Sequence, residues 1–271
     1  MLLENNSGRV YVAQSGLIGP NGIDTAEGRA KYSHAANNYV MEKGQQTLSV
    51  PLTYQKDGVT VTKTFTFTQD KYPLDISYQI QNASANPWQG QMFAQLKRDD
   101  SKDPGMSDKG ALSMATYLGG AWGTPEDPYN KLKFGKFNDG ELTTTSDEGW
   151  VGIVQHYFVS AWTPENFTGK FFSRETGNDY FIGFNSQPVN VAPNKQITLN
   201  ATLYAGPKVQ SELKEVAVGL NQTVDYGLLW PISKILFAIL DGIHKVIGNW
   251  GWSIILLTLL VKIALMWFSN K

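Results

Sequence analysis

Lys262 is the residue of this 271-residue chain whose position demands a chemical explanation. It is the single charge in the apolar run Trp250–Phe268. An ammonium group in the middle of such a helix costs about 2.5–3.5 kcal/mol on membrane-insertion scales. Its stem can snorkel toward the headgroups, since Phe268 is only about 9 Å of helix rise away. Alternatively it faces a wet, polar cavity, and Thr258, one turn earlier on the same face, would then extend a polar seam. The residues alone allow both readings.

Other reactive groups are sparse. There is no cysteine, which excludes disulfides, thiolate catalysis and cysteine-based zinc sites. Acid–base catalysis needs a histidine or carboxylate pair within hydrogen-bond reach in a cleft. Of the three histidines, His34 falls in a polar loop and His244 in an amphipathic segment. His156, in Gly152–Phe158, alternates within an apparent strand and reads as a structural histidine. Glu148 and Glu165 are candidate partners that nothing in their spacing requires. Trp88, Trp122, Trp150 and Trp162 could stack on sugars, but core packing accounts for strand tryptophans equally well. No catalytic residue, metal site or cofactor is expected, and a net charge of −1 gives no pull toward nucleic acid.

The elements that must position these groups fall into two regions. From Arg9 to Tyr204 the pattern is antiparallel β-structure. Arg9–Ser15 reads as a strand closed by Gly16. Leu48–Gln55 and Val59–Gln69 flank Lys56-Asp57-Gly58, a hairpin signal. In Val59–Thr68 apolar residues recur at every second position, so one face is buried and the Thr- and Lys-containing parts are expected to reach solvent. Further strands are expected at Leu74–Gln81, Gln91–Lys97, Leu112–Leu118, Trp150–Ala161, Tyr180–Asn185 and Ile197–Ala205. Many strands joined by long polar loops predict a mainly β sandwich or barrel over 1–220. Helical spacing over 207–220, with Pro207 in the first turn, predicts a helix closing that domain.

The second region is helical. Over 226–247, Leu229, Ile232, Leu236, Ile239, Leu240, Ile243 and Ile247 share one face, with Trp230 near the start. Lys234, Asp241, His244 and Lys245 lie on the other, the pattern of a helix lying in a bilayer interface. The run at 250–268 is about 28 Å of helix, close to the hydrocarbon thickness. Trp250, Trp252 and Trp267 stand at its ends, where interfacial aromatics anchor a span. Met1–Asn6 has neither the basic nor the apolar segment of a signal peptide, so a domain exported from the cytoplasm implies further sequence upstream.

Thr223–Gly227 with Trp230, Ile243-His244 and Gly248–Ile255 closely resemble the Gram-negative type of the bacterial YidC membrane-protein insertase family. Gln14–Leu17, Val50–Tyr54 with Thr62–Phe65, and Ser186–Val189 resemble that family's large periplasmic domain. The resemblance implies an antiparallel β super-sandwich similar to sugar mutarotases, lying in the periplasm. It implies an interfacial helix and the first core transmembrane helix of a multi-pass inner-membrane protein. Lys262 and Thr258 match positions of a hydrophilic substrate groove, usually occupied at Lys262 by Arg. Met266-Trp267-Phe268 departs from the family's usual Tyr-Pro-Leu or Phe-Pro-Leu exit. The implied partners are nascent membrane proteins, the Sec translocon with its accessory subunits, and the lipid bilayer. Ribosome contact would come only through parts outside this chain, and the fragment alone is expected to be inactive. The rival reading is a tail-anchored carbohydrate-binding or mutarotase-like sandwich.

Overall fold

The structure is a computed structural model. It describes residues 3–6, 8–25, 27–101, 103, 117–140, 142–224 and 230–269, with side chains of the two C-terminal helices described over 235–266. The chain divides into two units, Met1–Val224 and Asp225–Lys271.

The first unit contains β1 (Glu4–Asn6), β2 (Arg9–Ile18), β3 (Ser33–His34), β4 (Thr47–Lys56), β5 (Val59–Thr68), β6 (Pro73–Asn82), β7 (Trp88–Asp99), β8 (Gly119–Gly123) and β9 (Asn130–Leu132). It continues with β10 (Thr145–Ser146), β11 (Trp150–Val154), β12 (Phe158–Pro164), β13 (Gly169–Thr176), β14 (Asp179–Ser186), β15 (Val189–Val191), β16 (Lys195–Pro207) and helix α1 (Gln210–Val216). Two sheets form: β1-β2-β7-β14-β13-β10, with β15 also on β7, and β3-β4-β5-β6-β16-β12-β11-β8-β9. All strand pairs are antiparallel.

Alternation explains why these sequences make a sandwich. Tyr11 and Leu17 on β2, Met92, Ala94 and Leu96 on β7, and Ile182 and Phe184 on β14 are buried, as are Ile76, Tyr78 and Ile80 on β6. They form one core with Trp162, Phe171 and Leu199. Each fully buried large apolar side chain contributes about 1.5–3 kcal/mol. A second, smaller cluster joins Trp150, Val154, Val159, Ala161 and Tyr204 to Leu213 of α1. The predicted hairpin forms, with β4 running on to Lys56 so that the loop is the two residues Asp57-Gly58. Both residues have positive φ, 51° and 78°, and β4 and β5 pair from Lys56↔Val59 outward.

Several expectations change. β2 runs on through Gly16 to Ile18, because Gly16 and Leu17 pair with Phe93 and Met92. Trp150–Ala161 is two strands with a turn at Gln155–Tyr157, where the Gln155 N–H donates to the Phe158 carbonyl. The helix expected over 207–220 contracts to α1. Pro207 instead ends β16 opposite Phe158, and its carbonyl accepts the Tyr204 hydroxyl at 2.5 Å. The strand expected at Leu112–Leu118 lies outside the described residues over 112–116, and Tyr117 and Leu118 are not in a strand. Lys63 does not reach solvent freely. It shares the inward face with Val61 and Phe65 and stands opposite Tyr78.

After α1 comes Gly219, which has φ +83° and whose added Cβ would clash with the Pro128 carbonyl oxygen. Glycine is therefore required both for conformation and for space. Gly219→Ala should lower stability by more than about 1 kcal/mol, a fall of about 3 °C or more in Tm. An unchanged thermal midpoint would contradict this packing.

Candidate functional site

The second unit carries the residues that the sequence singled out. Helix α2 (Trp230–Ile247) and helix α3 (Trp250–Ser269) are joined at Gly248-Asn249. Gly248 has φ +70° and donates its N–H to the His244 carbonyl at 2.7 Å, ending α2 with a left-handed residue. Asn249 caps α3: its Oδ1 accepts the N–H of Gly251 at 2.9 Å and of Trp252 at 3.3 Å. The Ser253 hydroxyl, fully buried, donates to the Asn249 carbonyl at 2.8 Å. The turn is thus held by its own backbone donors and acceptors, and α2 and α3 pack on each other.

On α2, Leu236, Leu240 and Ile243 are half-buried, while Ile239 is exposed. Ile235, Phe237 and Val246 are also exposed, so the apolar surface is wider than the predicted face. His244, read as part of the polar face, packs against Trp250 with the rings tilted by 32° and their centroids 3.7 Å apart. Lys245 pairs with Asp241 at 2.8 Å, one turn away. The side chains of Trp230, Ile232 and Trp267 lie outside the described residues.

Along α3, Trp250, Trp252, Ile254, Ile255, Leu256, Leu259, Leu260, Ile263, Leu265 and Met266 are all exposed. A contiguous apolar surface of this kind marks a face that lipid or protein must cover. Thr258 and Lys262 stand one turn apart on it, both exposed. The Thr258 hydroxyl donates to the Ile254 carbonyl at 2.7 Å, so its proton is satisfied within the helix. Lys262 has no hydrogen bond or ion pair among the described residues. The polar seam therefore reduces to one cation. Among the described residues no helix is long and apolar enough to cross a membrane. The described side chains of α3 end at Met266, about 25 Å of rise from Trp250, and the rest of the predicted span lies beyond them.

Among the described residues, the groove that holds Glu148 and Glu165 is not lined by His156. That residue sits in the exposed β11–β12 turn, edge-on to Tyr157 at 3.9 Å. Glu148 and Glu165 instead line a groove of about 590 Å³ with Lys71, Asp75 and Glu212. Glu165 and Asp75 both approach the Thr202 hydroxyl. Trp88, Trp150 and Trp162 are buried and Trp122 packs on the core, so none of the four presents an open stacking face. The signal for Lys63 was in the alternation itself. Val59, Val61, Phe65 and Phe67 share its parity in the strand. Its Nζ lies 4.8 Å from the Phe65 ring and 5.1 Å from that of Tyr78. Burial pushes its pKa down to about 8, with Arg29 acting in the same direction and Asp24 opposing.

A two-sheet antiparallel domain followed by two helices with exposed apolar side chains defines a class: a β-sandwich domain with an apolar helical extension. Residues 1–239 match the family described as the YidC periplasmic domain, and the chain belongs to that family. It is 46% identical over 264 residues to membrane protein insertase YidC of Pseudomonas fluorescens (strain SBW25), covering 96% of this chain and 47% of that protein. The corresponding protein of Stutzerimonas stutzeri (strain A1501) is 46% identical over 265 residues, 97% of this chain and 47% of its own length. The chain thus spans about half the length of the curated relatives it matches. Among solved structures, it is similar to a galactose mutarotase related enzyme from Lactobacillus acidophilus at 7% identity and TM-score 0.41, over 66% of this chain and 72% of that one. A GH36 alpha-galactosidase from Geobacillus stearothermophilus matches at 10% identity and TM-score 0.40, over 77% and 31%. Likenesses of this size carry no sugar chemistry to this chain.

The Lys63 environment has a measurable consequence. Its folded pKa lies below the ordinary 10.5, so the unfolded chain binds more protons between pH 8 and 10.5. The residue's cost to stability is full below about pH 8 and fades as pH rises toward 10.5. Lys63→Met should therefore raise Tm at pH 7, with the gain shrinking by pH 10. A gain independent of pH would show that burial of the charge is not the cause.

Proposed function

We propose that this chain is the periplasmic and first-helix portion of an inner-membrane protein insertase. In this reading α2 lies in the outer bilayer interface, with Leu236, Ile239, Leu240 and Ile243 toward the acyl chains and Trp230 and Ile232 at its start. The segment 250–268 is the first wall of a groove completed by helices from the rest of the protein, anchored by Trp250, Trp252 and Trp267. The observation that carries the proposal is Lys262, an exposed cation without a partner among the described residues, on an otherwise apolar helical surface. Family membership supports it.

The activity requires no bond chemistry. Moving a polar segment of a nascent protein through hydrocarbon costs several kcal/mol per unsatisfied group. A hydrated groove lowers that cost, and a cation within it attracts acidic residues of the translocating segment. The apolar segment then passes sideways into lipid. Lysine supplies the charge as a point, without the planar fork of arginine, so attraction rather than bidentate geometry is the working principle. The β-unit would contact accessory subunits of the Sec translocon from the periplasm.

In the full-length parent reconstituted in vesicles, Lys262→Ala should slow insertion of a substrate with an acidic N-terminal tail by roughly tenfold, the equivalent of about 1.4 kcal/mol of lost attraction. Lys262→Arg should keep the wild-type rate. Equal rates for the alanine variant and wild type would refute the groove role of this residue.

A further inference from the structure

Buried polar and charged side chains converge on Asp103 in the β-unit. Arg98, on β7, is fully buried, and Arg9, on β2, is 7% exposed. Both guanidinium groups donate through Nη2 to the same oxygen, Asp103 Oδ1, at 2.8 and 2.9 Å. Gln155, at the β11–β12 turn and 4% exposed, donates to that oxygen through Nε2 at 2.5 Å. Three donors from three separate segments thus converge on one carboxylate oxygen. Arg98 also donates to the Ser101 carbonyl at 2.8 Å and lies 5.3 Å from the Tyr11 ring. Its Nε and Nη1, together with Asp103 Oδ2 and Gln155 Oε1, are buried without a hydrogen-bond partner among the described residues.

A helix or strand does not create this convergence. Arg9 and Arg98 belong to the seven-stranded sheet, whereas Gln155 extends from the nine-stranded one. Two buried guanidiniums side by side repel each other and are tolerated only around an anion. Glu4 lies 3.8 Å from Arg9 but is 31% exposed, so it offers partial relief from the rim. Asp103, four residues beyond the end of β7, supplies that anion. Its side chain meets one donor five residues away, Arg98, and two from elements remote in sequence, Arg9 and Gln155.

We infer that Arg9, Arg98 and Gln155 form a carboxylate-binding socket, filled in cis by Asp103, that joins the two sheets. The ligand class is a single small carboxylate. Removing the Asp103 side chain leaves the donors in place with nothing between them, and a free carboxylate of formate or acetate size meets the same three donors. Arg98 holds the anion and positions the end of β7, and Gln155 carries the connection across to the other sheet.

The test is chemical rescue on the whole chain, with Asp103→Ala compared in sodium formate and in sodium chloride at matched concentration near 0.1 M, where bulk screening is equal. In chloride the variant should lose about 10 °C of Tm. Formate should return several degrees of that loss, while wild type melts at the same temperature in both salts. If Asp103→Ala does not fold in chloride, the same comparison is made on refolding yield, where formate should restore folded protein. Arg98→Met combined with Asp103→Leu removes a cation and the anion together and should be more stable than Asp103→Ala alone. A variant as stable as wild type, or one that formate and chloride affect equally, would overturn the socket.

Discussion

Two antiparallel sheets can close face to face only if every inward side chain is apolar or is neutralised where it stands. The rest of this structure follows from that constraint. On β6, Ile76, Tyr78 and Ile80 meet it by type, as do Met92, Ala94 and Leu96 on β7. The exceptions fall at the margins. Arg98 continues the same inward parity on β7 and is accommodated by Asp103. Lys63 continues it on β5 and is accommodated by a depressed pKa and two aromatic faces. Tyr78 meets Ser15 hydroxyl to hydroxyl at 3.0 Å, and its pKa is driven up by the same burial.

The helical unit obeys the opposite rule. Its backbone groups are satisfied locally, by helix hydrogen bonds, the Asn249 cap and the Gly248 terminus, while its apolar side chains remain uncovered. That combination is costly in water and favourable in hydrocarbon, where an unsatisfied backbone group is the larger penalty. Even Thr258 conforms, because its hydroxyl turns back onto the Ile254 carbonyl. Lys262 is the residue on α3 that breaks the rule, since an ammonium has three donors and no intrahelical acceptor can take them all. Within the proposed insertase its exposure is a requirement, as a cation neutralised in cis would have no attraction left for a passing carboxylate.

Much of this was legible in the sequence where a local signal agreed with the global fold. Asp57-Gly58 between Thr- and Val-rich runs specified a hairpin because only a few residues tolerate positive φ. The apolar run from Ile254 to Met266 specified a helix, and α3 is one. Failures arose where a signal was weak or was overridden from a distance. Gln155-His156-Tyr157 turns a strand without glycine, proline or asparagine, so β11 and β12 read as one. β8, Gly119–Gly123, carries three glycines, and β13 carries Lys170, Arg174 and Glu175; both are strands because partners flank them. Pro207 has the residue type of a helix start but lies within reach of Phe158. Asp103 gave no signal, because its meaning lies in Arg9, Arg98 and Gln155.

The two rules together explain why the candidate site is simple in sequence and the β-unit is not. A cation on an apolar helix declares itself, since the three residues on either side of Lys262 are all apolar. A sandwich spreads its information over pairings of residues far apart, such as Arg98 with Tyr180 and Tyr11 on adjacent strands. An inward charge there is recognisable only once its parity is compared with both partners. Arg98 stands between two aromatic neighbours on the inward face, and a guanidinium so placed needs an anion from outside its own sheet. Asp103 meets that need through Oδ1, which Arg98 shares with Arg9 and Gln155.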